Sequence, residues 1–435
     1  MHKSIILGLG LALAGGASGQ ALPQAPAPTL TLTLQQAMER ARSNSPDLLS
    51  ANITALLAHE DMRQAKAALL PTATGFSQYI YTQPNGTLSG VFVSNDGPRV
   101  YNDQFQVHGD IYAPAKIADY HKAQLAEAVA HAKAEVAARG LIATVVKDYY
   151  AMVSAKRKSA NAQQSLTEAQ TFADITQKLE RGGEAAHYDT VKAESQLLDR
   201  QRDVQEAQLA IDKARLEFAV LLFPDFRQDF TVTDDLDTTP PLPPFPEAQT
   251  MASRNNPDIR AAQATVQQQQ FELRSVRAEY LPSLSFDYFW GLNANQFALH
   301  NEFGQNNLGS VAQAQVNIPI WNWGITRSRV KQSELRVEQA RNELTLAQRQ
   351  LLSDLNQFYL EAGAASAQIA TLRRSLELAA EALRLTLLRY QGGEGSVLEV
   401  VDAQTTVVAA RNAFEDGMVR YRLAVANLQT LTGAF

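Results

Sequence analysis

Glu399 and Asp402 stand three residues apart just beyond a Gly-rich turn, and Glu184 and Asp189 occupy similar ground about 210 residues earlier. Acids so placed complement the partial positive charge of a helix N-terminus. Catalysis would require a convergent set of titratable groups beside them. The histidines do not supply one: His121 and His131 are ten apart, so no ligand pair forms on one helical face. The chain has no GxSxG, no P-loop and no HExxH, and its zero cysteines exclude thiolate metal sites and disulfides. No catalytic residue, cofactor or metal is expected, and the chain does not read as an enzyme.

The elements that position these acids come from a secreted chain. His2 and Lys3 precede an apolar run from Ile5 to Ala14 and then small residues, the form of a signal peptide ending near residue 21. No cysteine near that point could carry a lipid, so no N-terminal lipid anchor is expected. Beyond it no window approaches the ~18 uninterrupted apolar residues of a membrane helix, so a membrane crossing would need strands. The net charge of −6, without a basic run, argues against a nucleic-acid partner.

The chain reads as two copies of one design. Asn44-Ser45-Pro46-Asp47-Leu48 recurs as Asn255-Asn256-Pro257-Asp258-Ile259, and Leu70-Pro71 as Leu281-Pro282. Val107 to Tyr112 maps onto Val316 to Trp321, and Arg181-Gly182-Gly183-Glu184 onto Gln391-Gly392-Gly393-Glu394. We therefore expect a first repeat over 22–222, a Pro-rich connector over 223–250 and a second repeat over 251–435.

Each repeat opens on an Ala-, Leu- and Gln-rich helix, in the first from about Thr33 to the stop at Pro71. A β-hairpin follows, at about 72–112 and 282–321, with Gly- and Asn-rich loops at 84–98 and 293–309. Very long proline-free helices then run over about 115–181 and 325–391, each roughly 100 Å at ~1.5 Å per residue. Ile369, Leu372, Leu376, Ala379, Leu383, Leu387 and Tyr390 make a coiled-coil seam. The Gly-Gly turns reverse the chain into last helices over about 186–222 and 397–431.

In the strands, Phe105, Val107 and Ile111 alternate with Gln104, Gln106, His108 and Asp110; Leu284, Phe286, Tyr288 and Trp290 alternate with Ser283, Ser285 and Asp287. A face of amides and hydroxyls suits a polar lumen. Tyr112, Trp321 and Trp323 fall at the helix-proximal ends and Tyr79, Tyr81 and Trp290 towards the loops, the places of two interfacial aromatic girdles against lipid. Four strands cannot close a barrel, and an open edge in hydrocarbon costs several kcal/mol per unpaired group. The chain must pool strands with its own copies; spacing allows eight from a dimer or twelve from a trimer. A pore-free periplasmic coiled-coil adaptor or scaffold is the competing reading; it explains the helices but not the two hairpins.

This order of elements resembles the TolC family of outer-membrane efflux proteins. Leu32-Thr33-Leu34-Gln35-Gln36-Ala37, the Leu-Pro strand entries, Val316 to Gly324 and Arg389 to Gln404 carry the resemblance. It implies an α+β membrane protein in the outer membrane of a Gram-negative bacterium: a homotrimer with one twelve-stranded barrel above a coiled-coil periplasmic tunnel. It also implies a passive exit duct for efflux or type I secretion, with a periplasmic adaptor (membrane fusion protein) and an inner-membrane pump of RND, ABC or MFS type as partners. Tyr390, Glu399 and Asp402 match the family's periplasmic gate, whose clustered carboxylates would attract cations. Gly395 stands where some members carry a basic gate partner, a departure that leaves that latch absent or rebuilt. Arg181, Gly182, Gly183 and Glu184, with Gly392, Gly393 and Glu394, are helix stops that would also face the adaptor.

Overall fold

Where the opening residues of each half meet a proline, the helix breaks rather than continues. In the computed structural model, which describes residues 30–81, 99–238 and 240–433, the first half starts with strand β1 (Leu30–Leu32) and helices α1 (Leu34–Asn44) and α2 (Pro46–Ala67). The single helix expected from Thr33 to Leu70 is thus two. Pro46 lacks the N–H that a continuing helix needs, and Ser45 ends α1 while its Oγ accepts from Leu48 N at 3.3 Å to cap α2. Thr33 and Gln36 close a capping box at the start of α1. The expected leader, 1–21, and the loop 84–98 lie outside the described residues.

Strands β2 (Thr72–Tyr81) and β3 (Arg99–Tyr112) follow, then helices α3 (Pro114–Gly182) and α4 (His187–Leu222) and the short strand β4 (Phe230–Val232). The second half carries α5 (Phe245–Asn255), α6 (Pro257–Ala278), β5 (Ser283–Ala294), β6 (Leu308–Asn317), α7 (Ile325–Gln391) and α8 (Val397–Thr432). Lengths agree element by element: α1 and α5 have 11 residues each, α2 and α6 22, α4 and α8 36, and α3 and α7 69 and 67.

The break at Asn256 repeats the chemistry of Ser45, with Oδ1 accepting from Ile259 N at 3.1 Å. Its preceding Asn255 donates to Thr432 O at 3.2 Å, just as Asn44 donates to Leu222 O at 2.8 Å. Each break therefore ties the end of its half's last helix to its start. Asn256→Ala removes a buried cap and leaves Ile259 N unpaired; we expect a loss of about 1 kcal/mol, read as a lower unfolding midpoint of the detergent-solubilised protein.

β2, β3, β5 and β6 form one antiparallel sheet in that order, and β1 pairs with β4 in parallel. Among the described residues β2 and β6 are paired on one side only, and all of β2 is exposed. β6 ends at Asn317, short of the expected 321, because Pro319 cannot donate to a ladder. The main core lies at mid-height, where Leu32, Tyr149, Phe218, Leu222, Phe230 and Met418 pack together from both halves. A second gathers Ala252, Leu355, Ala362 and Tyr421, and the α7 seam meets α8 through Ala379, Leu383, Val407 and Ala410. None of the described helices is long and apolar enough to cross a membrane.

Candidate gate at the hairpin tips

Both Gly-Gly turns solve one problem, ending a helix while reversing the chain. Gly183 (φ 75°) and Gly393 (φ 74°) adopt the left-handed conformation, which costs other L-residues roughly 1–2 kcal/mol. The next residue then closes back on the helix, Glu184 N donating to Leu179 O at 2.8 Å and Glu394 N to Arg389 O at 2.9 Å. Arg181, Gly182 and Glu184 flank one turn and Gly392 and Glu394 the other, all exposed.

Tyr390 joins the two hairpins. Only 4% exposed, it packs with Phe172 of α3, Ala193 of α4, and Val397 and Val400 of α8. Its ring centroid lies 5.3 Å from that of Phe172 at 64°, and its hydroxyl donates to Thr176 Oγ1 at 3.5 Å. Burial raises the phenol's pKa, opposed by the Thr176 contact and reinforced by Asp189. The tyrosine thus fills a seam between hairpins.

Glu399 and Asp402 lie exposed one turn apart on α8. Glu399 is a first-turn acid whose own N–H donates to Ser396 Oγ at 3.3 Å. Asp189 holds the first-turn position on α4, and Glu184 sits in the preceding turn. Arg389 Nη1 is 3.6 Å from Glu399 Oε2, and Nη2 donates to Glu394 O at 3.2 Å. Glu399 thus has an exposed basic neighbour at the end of α7. At Gly395 a Cβ would come within 3.1 Å of Tyr390 N, so a side chain there needs the tip to shift.

Sequence reasoning passed over Arg389, Phe172 and Thr176. Arg389 had a signal, a basic residue in the last turn of a helix. Phe172 and Thr176 had none, being ordinary positions inside a 69-residue helix.

The aromatics lie at the sheet and beside it. Tyr79, Tyr81, Tyr112 and Trp290 are exposed on strands, and Tyr79 stacks at 4.9 Å on Tyr101. Trp321 and Trp323 are not at a strand end as expected. They lie in the linker between β6 and α7, 75% and 87% exposed, edge to face at 5.7 Å, with Trp323 at φ 54°.

Residues 250–434 match the outer membrane efflux protein family. Outer membrane efflux protein BepC of Brucella suis biovar 1 is 27% identical over 177 residues, 40% of this chain and 37% of BepC, so the match spans under two-fifths of that relative's length. Outer membrane protein TolC of Escherichia coli K12 is 20% identical over all of this chain and 87% of its own length. The crystal structure of the Campylobacter jejuni CmeC outer membrane channel superposes at TM-score 0.81 with 17% identity, over 92% of this chain and 85% of CmeC. The helix-and-hairpin order and the paired Gly-Gly tips agree with these likenesses: the chain has the fold of the TolC-type channels, and its second half matches the outer membrane efflux protein family.

Proposed function

We propose that the chain is one protomer of a passive outer-membrane exit duct, a channel and not an enzyme, whose barrel lies in the outer membrane and whose helices reach through the periplasm. The observation that carries this reading is a four-stranded sheet whose two edges are unpaired among the described residues, standing on helices of 69 and 67 residues. In hydrocarbon those edges must pair, and β2 of one copy against β6 of the next provides closure. Three copies would supply twelve strands. Leu49, Ile53, Leu56 and Leu57 form an exposed apolar stripe on α2 suited to a neighbouring copy. Trp321 and Trp323, with the strand tyrosines, suit the two lipid interfaces.

At the other end, the exposed Gly-Gly tips would meet a periplasmic adaptor, and through it an inner-membrane pump. Tyr390 would hold the tips together, and Glu399 and Asp402 of each copy would line the closed mouth. A scaffold without a pore accounts for the coiled coils but leaves the sheet edges and exposed tryptophans without a role.

Single-channel recording in planar bilayers tests this. The parent is expected to give a small cation-selective conductance, and Glu399→Ala or Asp402→Ala to lower the cation preference about twofold or more. Folded, detergent-extracted oligomers that never conduct would overturn the duct in favour of the scaffold.

A further inference from the structure

The sheet carries a polar cluster that the tips do not explain. His108, Asp287 and Gln313 lie directly opposite one another across β3, β5 and β6, so their side chains share one face. His108 Nδ1 is 2.7 Å from Asp287 Oδ1; Gln106 Nε2 donates to the same oxygen at 3.3 Å, and Gln313 Nε2 to Oδ2 at 3.3 Å. The Asp287 side chain is 9% exposed and that of His108 42%.

Around the cluster this face is mostly polar, with Thr72, Thr74, Ser285 and Gln315 as neighbours beside Phe289 and Val311, whereas Val107, Tyr288, Ala312 and Ala314 occupy the other. In a barrel the polar face is the lumen face. The carboxylate is held by two amides and one ring nitrogen, which leaves His108 Nε2 free to meet water. The other charged groups on this face, among the described strand residues, are Asp110, opposite Ser285, and through it Lys116 of α3, which pairs with Asp110. β2 and β6 bring no titratable group to it.

We propose that the His108–Asp287 pair is a second ion-selectivity determinant of the duct, set in the barrel wall far from the tips. With His108 neutral, the pair presents one negative charge per copy to the lumen; with His108 protonated, it presents none. Protonation of His108 therefore lowers the cation preference. The inference rests on the duct reading, and it names a determinant that the tip carboxylates do not supply.

Reversal potentials across a salt gradient at pH 8 and pH 5.5 test it. The parent's cation-to-anion permeability ratio is expected to fall about twofold or more on acidification, and that of His108→Gln, whose amide still donates to Asp287, to change by roughly a fifth or less. The tip acids and the other histidines are common to both proteins, so the difference isolates the pair. Because the chain has no cysteine, His108→Cys gives a second reading: a cationic methanethiosulfonate should react with it and lower the ratio at pH 8. A conducting His108→Gln variant with the parent's pH response, or a His108→Cys variant untouched by the reagent, overturns the inference and leaves the duct standing. A folded parent that does not conduct overturns both.

Discussion

Arg157→Ala is expected to destabilise the protein by about 2–4 kcal/mol at neutral pH, because it strips the shared cation from three carboxylates at once. Arg157 Nε and Nη2 clasp Asp234, with Nη2 to Oδ1 at 2.8 Å; Nη1 and Nη2 reach Asp237 at 3.1 and 2.9 Å, and Nη1 reaches Glu415 at 3.2 Å. The arginine and Glu415 are 17% and 13% exposed, whereas Asp237 is 81% exposed and contributes little. The effect is therefore dominated by the charge left beside α8.

The clasp matters because Asp234 and Asp237 belong to the connector, Arg157 to α3 and Glu415 to α8, so one side chain ties both halves together. Tyr149 donates to Thr233 O at 2.6 Å, Tyr150 to Asp235 Oδ2 at 3.3 Å, and Arg422 pairs with Asp235 at 3.4 Å, in the same belt. Burial raises the pKa of both tyrosines, that of Tyr150 to about 12, so they remain donors at any physiological pH.

The pH dependence has a definite sign. Burial pushes the Asp234 carboxyl up, but the Arg157 hydrogen bond and the Leu236 N–H more than offset this and hold it below the usual range. Its stabilisation is present above its unfolded pKa near ~4 and is lost as pH falls through the lower folded value. Glu415 runs the other way: burial raises its pKa despite Arg157, so its contribution is full below the unfolded value and lost as pH rises through the folded one. Without Arg157 both folded pKa values climb. The gap between parent and Arg157→Ala, measured by thermal unfolding, should be widest at neutral pH, narrow towards pH 4 as Glu415 protonates, and close only as pH falls through the folded Asp234 value; a gap independent of pH would mean that lost packing of the arginine stem, not charge, sets the cost.

Much of this architecture is legible from the residues because its elements are long and their ends chemically marked. Proline-free runs over about 325–391 became α7 (Ile325–Gln391), and the Gly-Gly turns mark the reversals, since only glycine enters the left-handed region cheaply. Pro46 shows the opposite case: one residue that cannot donate breaks the single helix that the composition around it suggests. What stays hidden depends on register and packing. That His108 meets Asp287 follows from the pairing of strands 179 residues apart, and that Tyr390 points into the seam follows from Phe172 in the other half. Neither relation leaves a local pattern.

That inward-facing tyrosine leads to the second large effect, on conductance. In the duct reading, the closed mouth depends on the α3/α4 and α7/α8 tips staying together, and Tyr390 is the buried side chain common to both. Tyr390→Ala removes the aromatic contact with Phe172 and leaves a cavity, a loss of roughly 3 kcal/mol against the joined state. At 1.4 kcal/mol per factor of ten, that shifts the closed-to-open equilibrium by about a hundredfold, so mean single-channel conductance should rise about tenfold or more. Tyr390→Phe keeps the ring and gives up only the 3.5 Å hydroxyl contact with Thr176, a length at which little energy is at stake, so its conductance should stay within about twofold of the parent. If phenylalanine opened the duct as far as alanine does, the hydroxyl and not the ring would be the fastening. If neither changed it, the seam at Tyr390 would not be what keeps the mouth closed.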